Sequence, residues 1–259
     1  MNKQAARLNE IVSLLKERHI TTVSALADSC GVSDVTIRRD LRQLNDDGIV
    51  TTFNGTVSMN LHTEKLSMGD KYYISQQAER QKEEKMRIAR KAASLIEPHD
   101  TIVIDVGTTT YFLARAIPVD FPITVICYSL NAFIELHDRE SCTVIFAGGV
   151  FHKNSLMCES PQGIDLIRCS RASKAFLGAS GVHNRMGLTS SHYNEQALKQ
   201  AVIASSVSRT LLVDSTKFGV VKPAYFADID DFDTIITDSG VSEDYEAWLR
   251  DSDRRVHKV

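Results

Sequence analysis

Apolar residues in the first sixty positions recur at helical spacing. Leu8, Ile11, Val12, Leu14 and Leu15 fall three and four apart, which gathers them on one face of a helix. The pattern breaks near His19-Ile20-Thr21-Thr22, and a second short helix follows with Val23, Leu26 and Ala27 turned inward. It stops at Cys30-Gly31, where glycine takes a positive φ without a Cβ clash. Ser33 suits the N-cap of a third helix over residues 33–45, and Asp34 puts negative charge at the positive end of its dipole. Ile37, Leu41 and Leu44 sit at i, i+4 and i+7 and face a core, whereas Val35, Arg38, Arg39 and Arg42 occupy the opposite face. Further on, Asn54-Gly55 reads as a hairpin turn.

Residues 60–75 are polar, contain Gly69 and keep no period, so they read as a connection. From Gln76 the composition favours a helix whose apolar face comes late, at Ile88, Ala89, Ala92, Leu95 and Ile96. Its front half reads as charged all round and solvated, without the heptad seam of a coiled coil. Beyond residue 100, β-branched runs at 101–106, 123–128, 143–147, 175–177, 210–213 and 234–237 predict strands. Helices near 109–117, 130–138 and 193–207 lie between them, and this alternation predicts an α/β domain with a mostly parallel sheet. The expected organisation is a small helical domain at 1–58, a linker at 59–75 and a larger α/β domain at 76–259.

Composition changes this picture little. Of 259 residues, 43% are hydrophobic and 24% charged, as in ordinary globular proteins, and no apolar run is long enough for a membrane helix. No secretory pattern opens the chain, so the expected location is the cytoplasm. Five scattered cysteines without a Cys-x-x-Cys pair, and histidines without metal spacing, predict neither disulfide nor metal, and no cofactor is expected. Net charge is −3, and residues 1–60 balance seven Lys and Arg against seven Asp and Glu. DNA binding must therefore rest on where the charges sit. A thirteen-residue helix is roughly 20 Å long and fits the major groove, where arginine reads guanine and grips phosphate. Asp40, Asp46 and Asp47 are expected to offset that charge locally. Two helices, a glycine turn and an arginine-faced third helix form a helix-turn-helix pattern. Periodicity alone leaves open a three-helix bundle with solvated arginines.

In a parallel sheet, ligands bind at the carboxyl ends of strands. The first strand ends Asp105-Val106-Gly107-Thr108-Thr109-Thr110 and enters a helix. Glycine admits close approach, threonine hydroxyls donate, and the helix N-terminus offers free N–H groups to an anion. A Gly-Thr run is also an ordinary helix cap, and that reading stays open; neither a Walker lysine nor three-glycine dinucleotide spacing follows. Other strand ends carry Tyr128-Ser129-Leu130-Asn131, Gly148-Gly149, Gly178-Ala179-Ser180-Gly181 and Asp214-Ser215-Thr216-Lys217. Hydroxyls, an amide, an acid and a lysine suit a polyhydroxylated anion. Glu195 and Lys199, four apart, read on spacing alone as a solvated helix pair.

Val32-Ser33-Asp34-Val35-Thr36-Ile37-Arg38-Arg39-Asp40-Leu41 resembles the signature of the DeoR family of bacterial regulators. The resemblance implies that Ser33, Thr36, Arg38, Arg39 and Arg42 contact double-stranded operator DNA, and that residues 48–58 form the β-wing of a winged helix-turn-helix. Most members carry an arginine pair and then His-Gly-Gly in the wing, where this chain reads Thr51-Thr52-Phe53-Asn54-Gly55-Thr56. Weaker phosphate contacts and a shallower salt dependence are expected from it. Asp105 to Thr110, Gly148-Gly149, Gly178 to Gly181, Asn194-Glu195-Gln196-Ala197-Leu198-Lys199 and Asp214 to Gly219 also resemble the family's effector domain, in order. That domain is similar in fold to ribose-5-phosphate isomerase, which implies a sugar-phosphate effector. With the strand-end chemistry, the resemblance makes Asp105, Gly107, Thr108, Thr109, Thr110, Asn131, Gly148, Gly149, Ser180, Gly181, Glu195, Lys199, Asp214 and Lys217 the expected effector-binding residues.

Cys127 to Asn131, Gly149-Val150-Phe151-His152 and Asp231-Phe232-Asp233 resemble the deoxyribonucleoside-responsive branch, whose inducer is deoxyribose-5-phosphate. The implied function is a repressor of a carbohydrate or nucleoside catabolic operon, released by a phosphorylated sugar and without enzymatic activity. The alternative is an isomerase-like enzyme with a DNA-binding appendage, using Asp105, Glu195, Asp214 and Lys217 as acid–base groups. Two-fold operator symmetry implies a homo-oligomer, a dimer or a larger even assembly.

Overall fold

The periodic apolar residues of the first sixty positions meet in one core. In the computed structural model, which describes residues 3–18, 20–46, 50–53, 55–59 and 81–259, the chain forms two units, Met1–Tyr72 and Tyr73–Val259. The first holds α1 (Lys3–Arg18), β1 (Ile20–Thr22), α2 (Val23–Cys30), α3 (Asp34–Asp46), β2 (Val50–Phe53) and β3 (Thr56–Met59). Ile11, Leu15, Val23, Leu26, Ile37, Leu41 and Leu44 are buried together with Val50 and Val57. Each such aliphatic side chain contributes about 1.5–3 kcal/mol on leaving water. Thr22 caps α2 by accepting the Ala25 N–H at 3.2 Å, and Gly31 ends it at φ 62°. β2 and β3 pair antiparallel with Phe53 opposite Thr56, which is the expected wing hairpin.

Two features differ from the sequence reading. The stretch expected to be a mere break contains β1, which pairs antiparallel with β3 to give the order β1-β3-β2. Three residues are too few to show a strand period. Asp40 does not offset charge at the surface: it is 1% exposed and accepts from Arg7 Nε at 2.5 Å. Asp47, Asn54, residues 60–75 of the expected linker and residues 76–80 of the expected helix lie outside the described residues.

Among the described residues, the second unit starts with α4 (Lys82–Ala93) and is built on a seven-stranded parallel sheet. Its strands are β4 (Thr101–Ile104), β5 (Ile123–Cys127), β6 (Cys142–Phe146), β9 (Ala172–Gly178), β12 (Ser206–Leu212), β14 (Thr234–Thr237) and β15 (Arg255–Lys258). The six predicted strands all belong to it, and β15 joins at the edge. Ile102, Val103 and Ile104 are buried on alternate faces, so the sheet is covered on both sides. On one face, α4, α5 (Thr108–Ala116) and α6 (Leu130–Leu136) pack through Ile88, Ala92, Leu113 and Leu136. On the other, Ile167 of α7 (Pro161–Cys169), Val202 of α8 (Gln196–Ser205) and Leu249 of α9 (Glu243–Asp251) cover it. Two small antiparallel additions sit beside it: the hairpin of β7 (Val150–His152) and β8 (Met157–Glu159), and the sheet of β10 (Gly181–His183), β11 (Gly187–Ser190) and β13 (Ala224–Ala227).

The strand order, β15-β14-β12-β9-β4-β5-β6, fixes where a ligand fits. The chain lays down β4, β5 and β6 in one direction, then returns to the other side of β4 with β9 and continues outward. The reversal falls between β4 and β9. Loops leaving two such strands diverge to opposite faces and leave a crevice at their carboxyl ends.

Candidate functional site

In the first unit, Ser33, Arg38, Arg39 and Arg42 are exposed on α3 and its entry, and Thr36 is half-buried beside them. The Ser33 and Thr36 hydroxyls bond each other at 3.0 Å, and Ser33 Oγ accepts the Thr36 N–H at 3.4 Å. Val35 projects among them at 77% exposure, an apolar group of the kind that meets a thymine methyl. The three arginines carry one sign of charge along one face of a helix whose other face is wholly buried.

In the second unit, a cavity of about 560 Å³ occupies the crevice at the β4–β9 reversal. Gly107, the N-cap of α5, holds φ 149°, a region that side chains disfavour, and the first turn of the helix is Thr108-Thr109-Thr110. The N–H groups of such a turn have no intrahelical acceptor and present positive partial charge. Among the described residues, Lys85, Lys199, Lys217 and Lys222 line the cavity with the carboxylates Glu195 and Asp214, and Asp105 pairs with Lys199 beneath them. The balance suits an anion that also carries hydroxyls. Ser180, Asn154, Ser155, Ser191, His192, Thr216 and Gln81 add further polar groups to the wall.

Beneath the cavity lies a buried ionic network. Asp105, at the exit of β4, accepts from Lys199 Nζ, from the Tyr128 hydroxyl and from the Gly178 N–H at 2.9 Å. Lys199 also donates to the Gly178 carbonyl at 2.9 Å, lies 4.0 Å from Glu195 Oε2 and stands 5.0 Å above the Phe226 ring. Asp105 thus ties the ends of β4 and β9 together across the reversal. Burial, with Asp105 next to it, pushes the Tyr128 hydroxyl well above its ordinary range, so it stays a donor. Burial also raises the Glu195 carboxyl, against the pull of Lys199. Asp214 Oδ1 accepts from the Thr216 N–H at 3.1 Å and from its hydroxyl, which fixes the turn that carries Lys217. Asp238, just past the end of β14, supports that turn by accepting the Ser215 N–H at 2.6 Å.

Residues 80–239 match the family described as the DeoR C terminal sensor domain, and residues 7–63 match the DeoR-like helix-turn-helix domain. The chain belongs to the DeoR family. Among curated DeoR-family relatives, it is 31% identical over 248 residues to a deoxyribose operon repressor of Escherichia coli (strain K12), covering 96% of each. It is 34% identical over 253 residues to a lactose phosphotransferase system repressor of Lactococcus lactis subsp. lactis, covering 93% of each. Among solved structures, ribose 5 phosphate isomerase A from Neisseria gonorrhoeae is 17% identical with a TM-score of 0.39, over 53% of either chain.

The structure brings most of the sequence-selected effector residues together and leaves four out. Gly107, Thr108, Thr109, Thr110, Ser180, Glu195, Lys199, Asp214 and Lys217 line the cavity, with Asp105 below them. Asn131, Gly148, Gly149 and Gly181 are not on its wall. Asn131 is half-buried in the first turn of α6. The Gly148 carbonyl accepts the Ser160 hydroxyl at 2.7 Å. A Cβ on Gly149 would collide with the Glu159 carbonyl, and one on Gly181 with that of Val220, so backbone proximity accounts for both glycines. The solvated pair of Glu195 and Lys199 is corrected too: they are 8% and 1% exposed. Lys85, expected on a solvated front half of α4, is 1% exposed and lines the cavity.

Proposed function

We propose that this DeoR-family regulator represses a carbohydrate or nucleoside catabolic operon and leaves its operator when a phosphorylated sugar fills the cavity. Residues 1–58 read DNA, residues 59–75 connect, and residues 76–259 sense. The observation that carries the ligand half is the cavity wall. Lysines and the α5 N-terminus offer positive potential to a phosphate, while Glu195, Asp214, Ser180 and the threonines offer partners to hydroxyls. The name of the E. coli relative, a deoxyribose operon repressor, makes a pentose phosphate such as deoxyribose-5-phosphate the first candidate. On the DNA side, the exposed row of Arg38, Arg39 and Arg42 with Ser33 and Thr36 is the reading surface. The regulator works as an even homo-oligomer in the cytoplasm.

Ligand and operator are linked only through unequal affinity of the ligand for two states of the protein, typically 1–3 kcal/mol of coupling. A thermal-shift panel of pentose, deoxypentose and hexose phosphates, followed by operator titration with the best hit, tests the reading. Operator affinity is expected to fall about 5- to 150-fold at ligand saturation; an unchanged affinity under every sugar phosphate rejects it. The buried Asp105–Lys199–Glu195 group supports a second reading, an isomerase, because it holds acid–base groups at the cavity floor. Incubation with ribose-5-phosphate decides between them, and no turnover is expected.

A further inference from the structure

The turn joining β7 to β8 supplies Asn154 and Ser155 to the cavity wall. Ser155 is 7% exposed, and its hydroxyl oxygen is shut off from solvent with no hydrogen-bond partner. Among the described residues, it is the unpartnered buried side-chain oxygen that belongs to the cavity wall. A buried hydroxyl without a partner costs stability, and folds rarely keep one without a use. The next residue, Leu156, holds φ 52°, a left-handed conformation that a branched side chain disfavours. Such strain persists where surrounding bonds enforce it, as they do here. The Leu156 carbonyl accepts the Leu130 N–H at 2.8 Å, and the Cys158 N–H donates to the Tyr128 carbonyl at 2.8 Å. The turn is therefore stitched to the exit of β5, whose Tyr128 donates to Asp105 under the cavity.

We propose that Ser155 is a ligand-binding residue: its hydroxyl bonds an oxygen of the bound sugar phosphate, and the enforced backbone at Leu156 holds it in place. The assignment rests on the cavity being the sugar-phosphate site. An oxygen donor or acceptor on the ligand supplies what the protein itself leaves unsatisfied. The hydroxyl completes a wall whose charges come from other elements.

The test compares the full chain with its Ser155→Ala variant, in melting without ligand and in titrations with deoxyribose-5-phosphate, ribose-5-phosphate and inorganic phosphate. Removing a hydroxyl with no partner leaves the ligand-free melting temperature equal to or above that of the parent. Affinity for the sugar phosphate that the parent binds falls about tenfold, equivalent to about 1.4 kcal/mol. A matching loss with inorganic phosphate assigns the bond to a phosphate oxygen, and a loss confined to sugar phosphates assigns it to a sugar hydroxyl. Equal affinity in parent and variant overturns the assignment alone, as does a variant that melts well below the parent without ligand. A parent chain that binds no sugar phosphate overturns the reading of the cavity and this assignment with it.

Discussion

Lys199 is held by more partners than any ligand would need. It donates to Asp105 and to the Gly178 carbonyl, and it is nearly inaccessible. Lys199→Met should therefore cost about 3–5 kcal/mol in urea unfolding, because it leaves the buried Asp105 and Glu195 without their cation. The double variant Lys199→Met/Asp105→Asn should recover part of that loss, since Asp105 no longer lacks a counter-ion and only Glu195 still does. Glu195 behaves in the opposite sense. Its carboxyl is raised by burial, so the native state holds a proton more tightly than the unfolded chain. The stability this gives is present at low pH and is lost as pH rises through the raised value. Glu195→Gln should thus be more stable than the parent at pH 8, and the gap should close as pH falls below the ordinary glutamic acid range. Both lysines on the cavity's buried side were legible by helical phase. Lys85, Ile88, Ala89, Ala92 and Ile96 share one stripe, as do Glu195, Leu198, Lys199 and Val202. A lysine on an apolar stripe is a candidate for burial; the dense charge around residues 79–91 masked that sign.

At the level of elements, continuous β-branched runs revealed the central strands, because a parallel strand covered on both faces has few polar positions. β15, at the sheet edge, reads Arg255-Val256-His257-Lys258 and carries no such run. The short strands β7, β8, β10, β11 and β13 owe their existence to tertiary partners, which local pattern does not contain. The turn carrying Ser155 was missed for the same reason. The N-cap of α5 was visible, and Gly107→Ala should destabilise the chain by about 1–3 kcal/mol through backbone strain at φ 149° and weaken ligand binding; a melting curve matching the parent would contradict this. On the wing, Thr51 and Thr52 stand in β2 where most members have arginines. The double variant Thr51→Arg/Thr52→Arg should steepen the slope of log K against log salt by up to about two, one unit per phosphate gained. An unchanged slope would show that the wing lies away from the backbone.

For the molecule as a whole, net charge of −3 and a balanced first sixty residues give DNA little long-range attraction. On the proposed reading, recognition falls on the few arginines of α3 and affinity should be lost locally: each of Arg38→Ala and Arg39→Ala is expected to cost about 1–3 kcal/mol at the operator. The reversal between β4 and β9 has a different consequence, one that concerns the growing chain. Asp105 and its partner Gly178 are 73 residues apart, and Lys199 comes later still. During synthesis, β4, β5 and β6 emerge first, so β4, an interior strand of the finished sheet, spends that interval as an apolar edge with unpaired N–H and C=O groups. Such an edge recruits other strands until its own neighbour arrives. The described helices and the wing of the first unit precede residue 60. A chain halted between β6 and β9 is therefore expected to hold the described elements of the first unit while the sheet of the second still has an open edge at β4.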